Sequence, residues 1–230
     1  MSMDKTAAPL KNKRALVFIL YTVLFYGFWT LWAIWIRPEI KDAMSDSLIF
    51  EILANCVKLA VWTVPALLLI RKYDSALFIR FRQMFTERVS LRAALLWILL
   101  FSALCGDRLI ALIQGKLHIN PAFSLKTHLW LLIVGLTEET VFRGWLLNAT
   151  VKNEKDYKMI ALNALMFLCI HFPGWIQKGT FISAFTGFGF ISILVFSVLI
   201  SICFLKQKNI VLPIFIHMLY DFILEFWIIS

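Results

Sequence analysis

Charge is scarce in this sequence. Asp, Glu, Lys and Arg make up 16% of its 230 residues, whereas hydrophobic side chains make up 61%. That balance lies outside the range of water-soluble domains and names lipid as the solvent. Internal repeats and low-complexity tracts are missing too, so one membrane domain with no separate soluble domain is the natural organisation. Cysteine is limited to Cys56, Cys105, Cys169 and Cys203, all inside apolar stretches and without metal-ligand spacing. They read as free thiols packed as small hydrophobes. No small-residue cleavage site follows the first apolar run, Ala15 to Ile36, which ends at Arg37-Pro38. The run is too long for a signal-peptide core and is expected to stay as a transmembrane helix.

What is there is a series of apolar runs. At about 20 residues per crossing the length accommodates roughly seven spans. Hydropathy places them at Ala15–Ile36, Leu48–Ile70, Leu91–Ile113, His128–Ala149, Lys158–His171, Ser183–Leu205 and Ile210–Ile229. The expected fold is an all-α polytopic bundle with a 1–14 tail, N-terminal helices and a basic loop over 15–127, and a core of helices over 128–230. The net charge of +9 comes from Lys and Arg lying between the runs, where they act as topology signals rather than as a nucleic-acid footprint. The most basic segments are the tail (Lys5, Lys11, Lys13, Arg14) and the connection from Arg71 to Arg92. The positive-inside rule then places the N-terminus in the cytoplasm. Trp29, Trp32 and Trp35 read as an interfacial aromatic belt. Pro65 is expected to kink the second span, and Pro173-Gly174 to end the fifth. The stretch Arg71–Ser90, with Phe78, Phe81 and Phe85, reads either as an amphipathic segment against headgroups or as a solvated basic loop.

Ionisable groups at bilayer depth cost several kcal/mol unless paired or hydrated. Lys58 in the second span reads as structural, pairing with an acid on another helix or facing a wet cavity. Asp107 and Arg108 interrupt or end the third span, and His118 and His128 belong to an outer connection. Three places remain: Glu138-Glu139 with Arg143, His171, and His217 with Asp221. Counted from the cytoplasmic ends at ~1.5 Å per residue, Glu138, His171 and His217 lie roughly 16, 20 and 12 Å deep, a scatter that one pocket can span. Residues four apart share a helix face, which pairs Glu139 with Arg143, Phe167 with His171, and His217 with Asp221. Glu138 points about 100° away from Glu139 and is left to face the pocket as a candidate base.

These residues resemble the ordered motifs of the CAAX-protease and bacteriocin-processing (CPBP, or Abi) family of intramembrane glutamic endopeptidases. The Glu-Glu-x-x-x-Arg motif is Glu138 to Arg143, extended by Gly144; Phe-x-x-x-His is Phe167 to His171; His-x-x-x-Asn/Asp is His217 to Asp221. The likeness covers Leu129 to roughly Leu224. It implies peptide hydrolysis by an activated water: Glu138 as general base, His171 orienting the water, and His217 with residue 221 stabilising the oxyanion, with Glu139, Arg143 and Phe167 in support. An ionised Asp cannot donate a hydrogen bond as Asn can, so Asp221 orients His217 or keeps it protonated. Three other readings compete. Glu and two His could hold zinc, although no His-Glu-x-x-His is present. The chain could be a non-catalytic scaffold or immunity protein, or a transporter using the same buried groups. The favoured substrate is a small hydrophobic, leader-bearing or lipid-modified peptide, met in a bacterial cytoplasmic membrane, with no cofactor and no nucleic acid.

Overall fold

The structure is a computed structural model that describes residues 7–187 and 189–229, with side chains from residue 13 onward. The tail residue Lys5, the Lys11 side chain and Ser230 fall outside what it describes. Apart from two three-residue strands, the described elements are helical. Four stretches are long and apolar enough to cross a membrane: Lys13–Ala43, Ser47–Lys72, Tyr157–Gln177 and Gly189–Gln207. A fifth exists if Leu91–Ala103 and Gly106–Ile113, bent by 71° at their junction, count as one broken span.

The N-terminal helices run α1 (Ala7–Leu31), α2 (Arg37–Ala43), α3 (Ser47–Lys58) and α4 (Val64–Lys72). Wide π-helical turns, Trp32–Ile36 and Leu59–Thr63, join α1 to α2 and α3 to α4. Each ends two residues before a proline, Pro38 or Pro65. The cause is covalent: proline has no N–H to donate four residues back, and its ring crowds that carbonyl, so the helix widens locally instead of stopping. The expected kink at Pro65 therefore takes the form of a bulge. Asp46 starts α3 by accepting from the backbone N–H groups of Leu48 and Ile49 at 2.8 and 3.3 Å. Leu16, Leu20, Val23 and Leu24 on α1 are exposed. Phe18, Tyr21 and Phe25 pack inward, so the apolar outer face is turned to lipid.

The Arg71–Ser90 segment is neither a solvated loop nor a headgroup-bound stretch alone. It contains α5 (Phe81–Thr86) and buries Leu77, Ile79 and Met84. Asn148 pairs with Ile79 like a strand neighbour, its Oδ1 accepting from Ile79 N at 2.7 Å and its Nδ2 donating to Ile79 O at 2.8 Å. The third expected span divides into α6 (Leu91–Ala103) and α7 (Gly106–Ile113), with Asp107 and Arg108 in the first turn after the break.

The expected span His128–Ala149 is not a regular crossing. It consists of a 3₁₀ turn (Leu129–Leu132), α8 (Val134–Glu139) and a π-helical stretch, Thr140–Leu147. Every residue from Thr137 to Asn148 is buried. This segment is the central post of the bundle, enclosed by protein rather than by lipid. The fifth expected span continues past its predicted end: α9 (Tyr157–Cys169) breaks at Ile170-His171, and Pro173 opens α10 (Phe172–Gln177) instead of terminating a helix. Proline is well placed in a first helical turn, where its missing N–H has no partner to lose. The sixth divides into α11 (Phe181–Thr186) and α12 (Gly189–Gln207). The seventh is α13 (Val211–Phe226), whose expected last residues instead form strand β2 (Trp227–Ile229), paired antiparallel with β1 (Leu117–Ile119).

Candidate active site

Two close approaches bring the motif residues together. At the crossing of α8 and α13, a Cβ on Gly135 would overlap the Ile214 carbonyl, so the missing side chain sets how near the two backbones can lie. Glu138 and Glu139 follow one turn later on α8, opposite His217 on α13. In the π-helical stretch the Phe142 carbonyl accepts from Asn163 Nδ2 of α9 at 3.0 Å. No proline causes this third π segment, and such segments recur at functional sites.

Glu139 and Arg143 are fully buried. The expected pair forms, with Arg143 Nη1 donating to Glu139 Oε1 at 3.1 Å. Arg143 Nη2 also donates to Ser197 O at 3.1 Å and Ser197 Oγ at 2.8 Å, and the guanidinium lies 4.6 Å from the Phe167 ring centre. Glu139 Oε1 takes a second donor, His217 Nδ1, at 2.7 Å. A carboxylate can only accept, so Nδ1 carries the proton and Nε2 is turned the other way. There it lies 3.5 Å from Asp221 Oδ2 and 3.9 Å from Glu138 Oε2. The partner that fixes the ring at Nδ1 is thus Glu139, while Asp221 sits beside the opposite nitrogen.

His171 stands at the break between α9 and α10. Its Nδ1 donates to Phe167 O at 3.0 Å, which again leaves Nε2 as the free nitrogen. Trp29 Nε1 donates to the neighbouring Ile170 carbonyl at 2.7 Å, and Tyr26 donates to Met166 O, so α1 holds this break in place. Trp29 is accordingly a structural clamp and Trp32 is buried, and only Trp35 of the three expected belt residues is well exposed. Phe167 touches His171, His217 and Phe142 at ring separations of 5.3, 5.9 and 5.1 Å, all edge-on. It spaces the two imidazoles.

Glu138 faces away from the Arg143 pair, as its helical phase predicts. Electrostatically it interacts with Lys58, His217 and His171, and Asp221 interacts with both His217 and Glu138. The structure therefore gathers Glu138, His171, His217 and Asp221, with Glu139, Arg143 and Phe167 directly behind them. One further member was singled out in sequence only as structural: Lys58, whose Nζ lies 2.7 Å from Glu138 Oε1. Its position inside an apolar run was the signal, but nothing in the sequence names the acid it meets.

The charges balance. At formal charges the three acids Glu138, Glu139 and Asp221 face the two cations Lys58 and Arg143, and the one negative charge left over is what a proton on His217 would cancel. A cluster neutral as a whole is the cheapest way to keep such groups within a bundle. Among the described residues no three His, Cys, Asp or Glu side chains are grouped to hold a metal ion.

Residues 120–223 match the family described as Type II CAAX prenyl endopeptidase, Rce1-like. The match contains every motif residue from Glu138 to Asp221 and leaves Lys58 outside. No curated protein and no solved structure matches the chain.

Proposed function

We propose, on the premise that residues 120–223 are a domain of the Rce1-like CAAX endopeptidase family of glutamic-type intramembrane proteases, that Glu138 activates a water for peptide-bond hydrolysis. The observation that carries this reading is the convergence of Glu138, His171 and His217 from three separate elements. Both imidazoles are pinned through Nδ1; His217 Nε2 lies 3.9 Å from Glu138 Oε2, and His171 interacts with Glu138 electrostatically.

In the proposed step, water lies by Glu138 Oε2 and is oriented by His171 Nε2. Glu138 takes one water proton as the oxygen attacks the carbonyl carbon of the substrate. His217, flanked by Glu139 and Asp221, carries the proton that lets Nε2 donate to the developing oxyanion. Glu138 then delivers its proton to the leaving amine as the C–N bond breaks, which restores the carboxylate. Asp221 keeps His217 charged, a duty an acceptor-only side chain can perform.

The proposed setting is a seven-pass bundle with a cytoplasmic N-terminus in a bacterial membrane. Residues 128–230 form the catalytic core. The proposed substrate is a small hydrophobic, leader-bearing or lipid-modified peptide, as in bacteriocin or signal-peptide maturation or self-immunity. The test incubates purified protein in detergent with peptides encoded beside its gene and with a prenylated CAAX peptide, followed by mass spectrometry. Cleavage by wild type and none by Glu138→Gln is expected. A phenotype that survives Glu138→Gln would instead identify a non-catalytic scaffold.

A further inference from the structure

Lys58 is the last residue of α3, at the edge of the π-helical turn imposed upstream of Pro65. That turn re-aims the helix just where the lysine leaves it. Its ammonium lies 4.7 Å from the Trp62 ring centre and 5.8 Å from that of Trp29. These faces attract a cation and exclude water from it. Among the described residues, the only carboxylate oxygen at ion-pair distance is Glu138 Oε1, at 2.7 Å, with the lysine and glutamate side chains 15% and 10% exposed. We infer that Lys58, although outside the matched domain, is a positioning residue of the active site: it holds Glu138 as a carboxylate within the bundle and occupies Oε1, so that Oε2 meets the water.

This inference rests on the reading of Glu138 as the general base. A base must be ionised before it can take a proton, and burial opposes ionisation. The charged or titratable groups acting on Glu138 are Lys58 from α3, His171 at the α9–α10 break, His217 and Asp221 from α13, and Arg143 from the same central segment. Arg143 is committed to Glu139 and Ser197. His217 is divided between three carboxylates. Among the described residues Lys58 is therefore the cation dedicated to Glu138. Without it the cluster holds one negative charge too many, and protonation of Glu138, which abolishes the base, is the simplest relief.

A lysine that merely ties α3 to the central segment would change stability without changing the ionisation of Glu138. The deciding measurement is an infrared pH titration of the full chain in phosphatidylcholine vesicles, which needs no substrate. The protonated-carboxyl stretch lost in Glu138→Gln reports on Glu138. In Lys58→Gln that band should titrate at least about one pH unit above wild type, and Lys58→Arg should recover most of the shift. An unchanged midpoint in folded Lys58→Gln overturns the inference. If that variant does not fold, the same carboxyl titration is made on Lys58→Met, whose unbranched side chain keeps the packing against Trp62, and an unchanged midpoint there overturns the inference. Cleavage assays separate the two levels. Peptide cleavage by Glu138→Gln would remove the base assignment itself, whereas an inactive Glu138→Gln with an unshifted Lys58→Gln band removes the role of Lys58 alone.

Discussion

His217 and Glu139, 78 positions apart, meet through a 2.7 Å hydrogen bond from imidazole Nδ1 to carboxylate Oε1. The same oxygen receives Arg143 Nη1. One buried carboxylate oxygen thus links the first and last motifs and sets the imidazole tautomer. Of two adjacent glutamates, one is built into the frame and the other is left for chemistry. Their divergence around α8 makes that division of labour possible.

Replacing Glu139 should therefore damage the frame before the chemistry. Glu139→Ala leaves Arg143 buried and without a counter-charge, which costs about 3–5 kcal/mol when one partner of a buried ion pair is removed. Adding Arg143→Met should recover part of that loss while leaving His217 without its Nδ1 acceptor. Thermal unfolding in detergent should show the partial recovery, and peptide cleavage should stay absent in both variants. A double variant less stable than either single one would contradict a shared ion pair.

Much of this site is legible in the sequence because polar groups inside apolar runs have few interpretations. The Glu139–Arg143 pairing and the divergence of Glu138 from it follow from helix geometry. What escaped are contacts between elements far apart in the chain. Lys58 meets Glu138 across 80 positions, and Glu139 rather than Asp221 takes His217 Nδ1. Hydropathy also does not reveal that the central segment is enclosed by protein, since a helix buried by protein is as apolar as one facing lipid. It cannot foresee the breaks at Cys105 and His171 or the final strand either, because these depend on packing partners.

Gly135 offers a packing test. A methyl group there meets the Ile214 backbone carbonyl, which cannot swing aside, and Met218 Cγ at 2.8 Å. Gly135→Ala should separate α8 from α13, with a stability loss of about 1–3 kcal/mol and a larger proportional loss of activity. Gly144→Ala is the control. Its added methyl meets most closely the Cδ1 atoms of Ile70 and Ile210, at 3.0 and 3.2 Å, which can rotate, while the Glu139 carbonyl stands at an ordinary 3.8 Å. Gly144→Ala should be the milder change in both unfolding and cleavage assays. Equal effects would argue against a special closeness at the α8–α13 crossing.

Asp221 lies 3.5 Å from His217 Nε2. Asp221→Asn removes a negative charge from beside the imidazole but supplies an amide that can donate to an oxyanion. Activity should therefore survive in Asp221→Asn and fall by at least about 10²-fold in Asp221→Leu, which supplies neither the charge that keeps His217 protonated nor an amide donor and so forfeits the stabilisation of the oxyanion. Initial cleavage rates at saturating peptide compare the two variants. Equal loss in both would show that the negative charge itself is indispensable.

The zinc and water-only readings part at a chelator. A dication bound at Glu138 Oε2 would share that carboxylate with the Lys58 ammonium, which lies 2.7 Å from Oε1. Two cations on one carboxylate inside a bundle repel. The mechanism proposed above asks only for a carboxylate and two imidazoles, so peptide cleavage should persist at full rate after prolonged dialysis against a strong chelator. Activity that disappears on dialysis and returns with added zinc would require Lys58 to leave Glu138. The Lys58→Gln variant would then bind metal more tightly than wild type, which zinc titration by calorimetry can read directly.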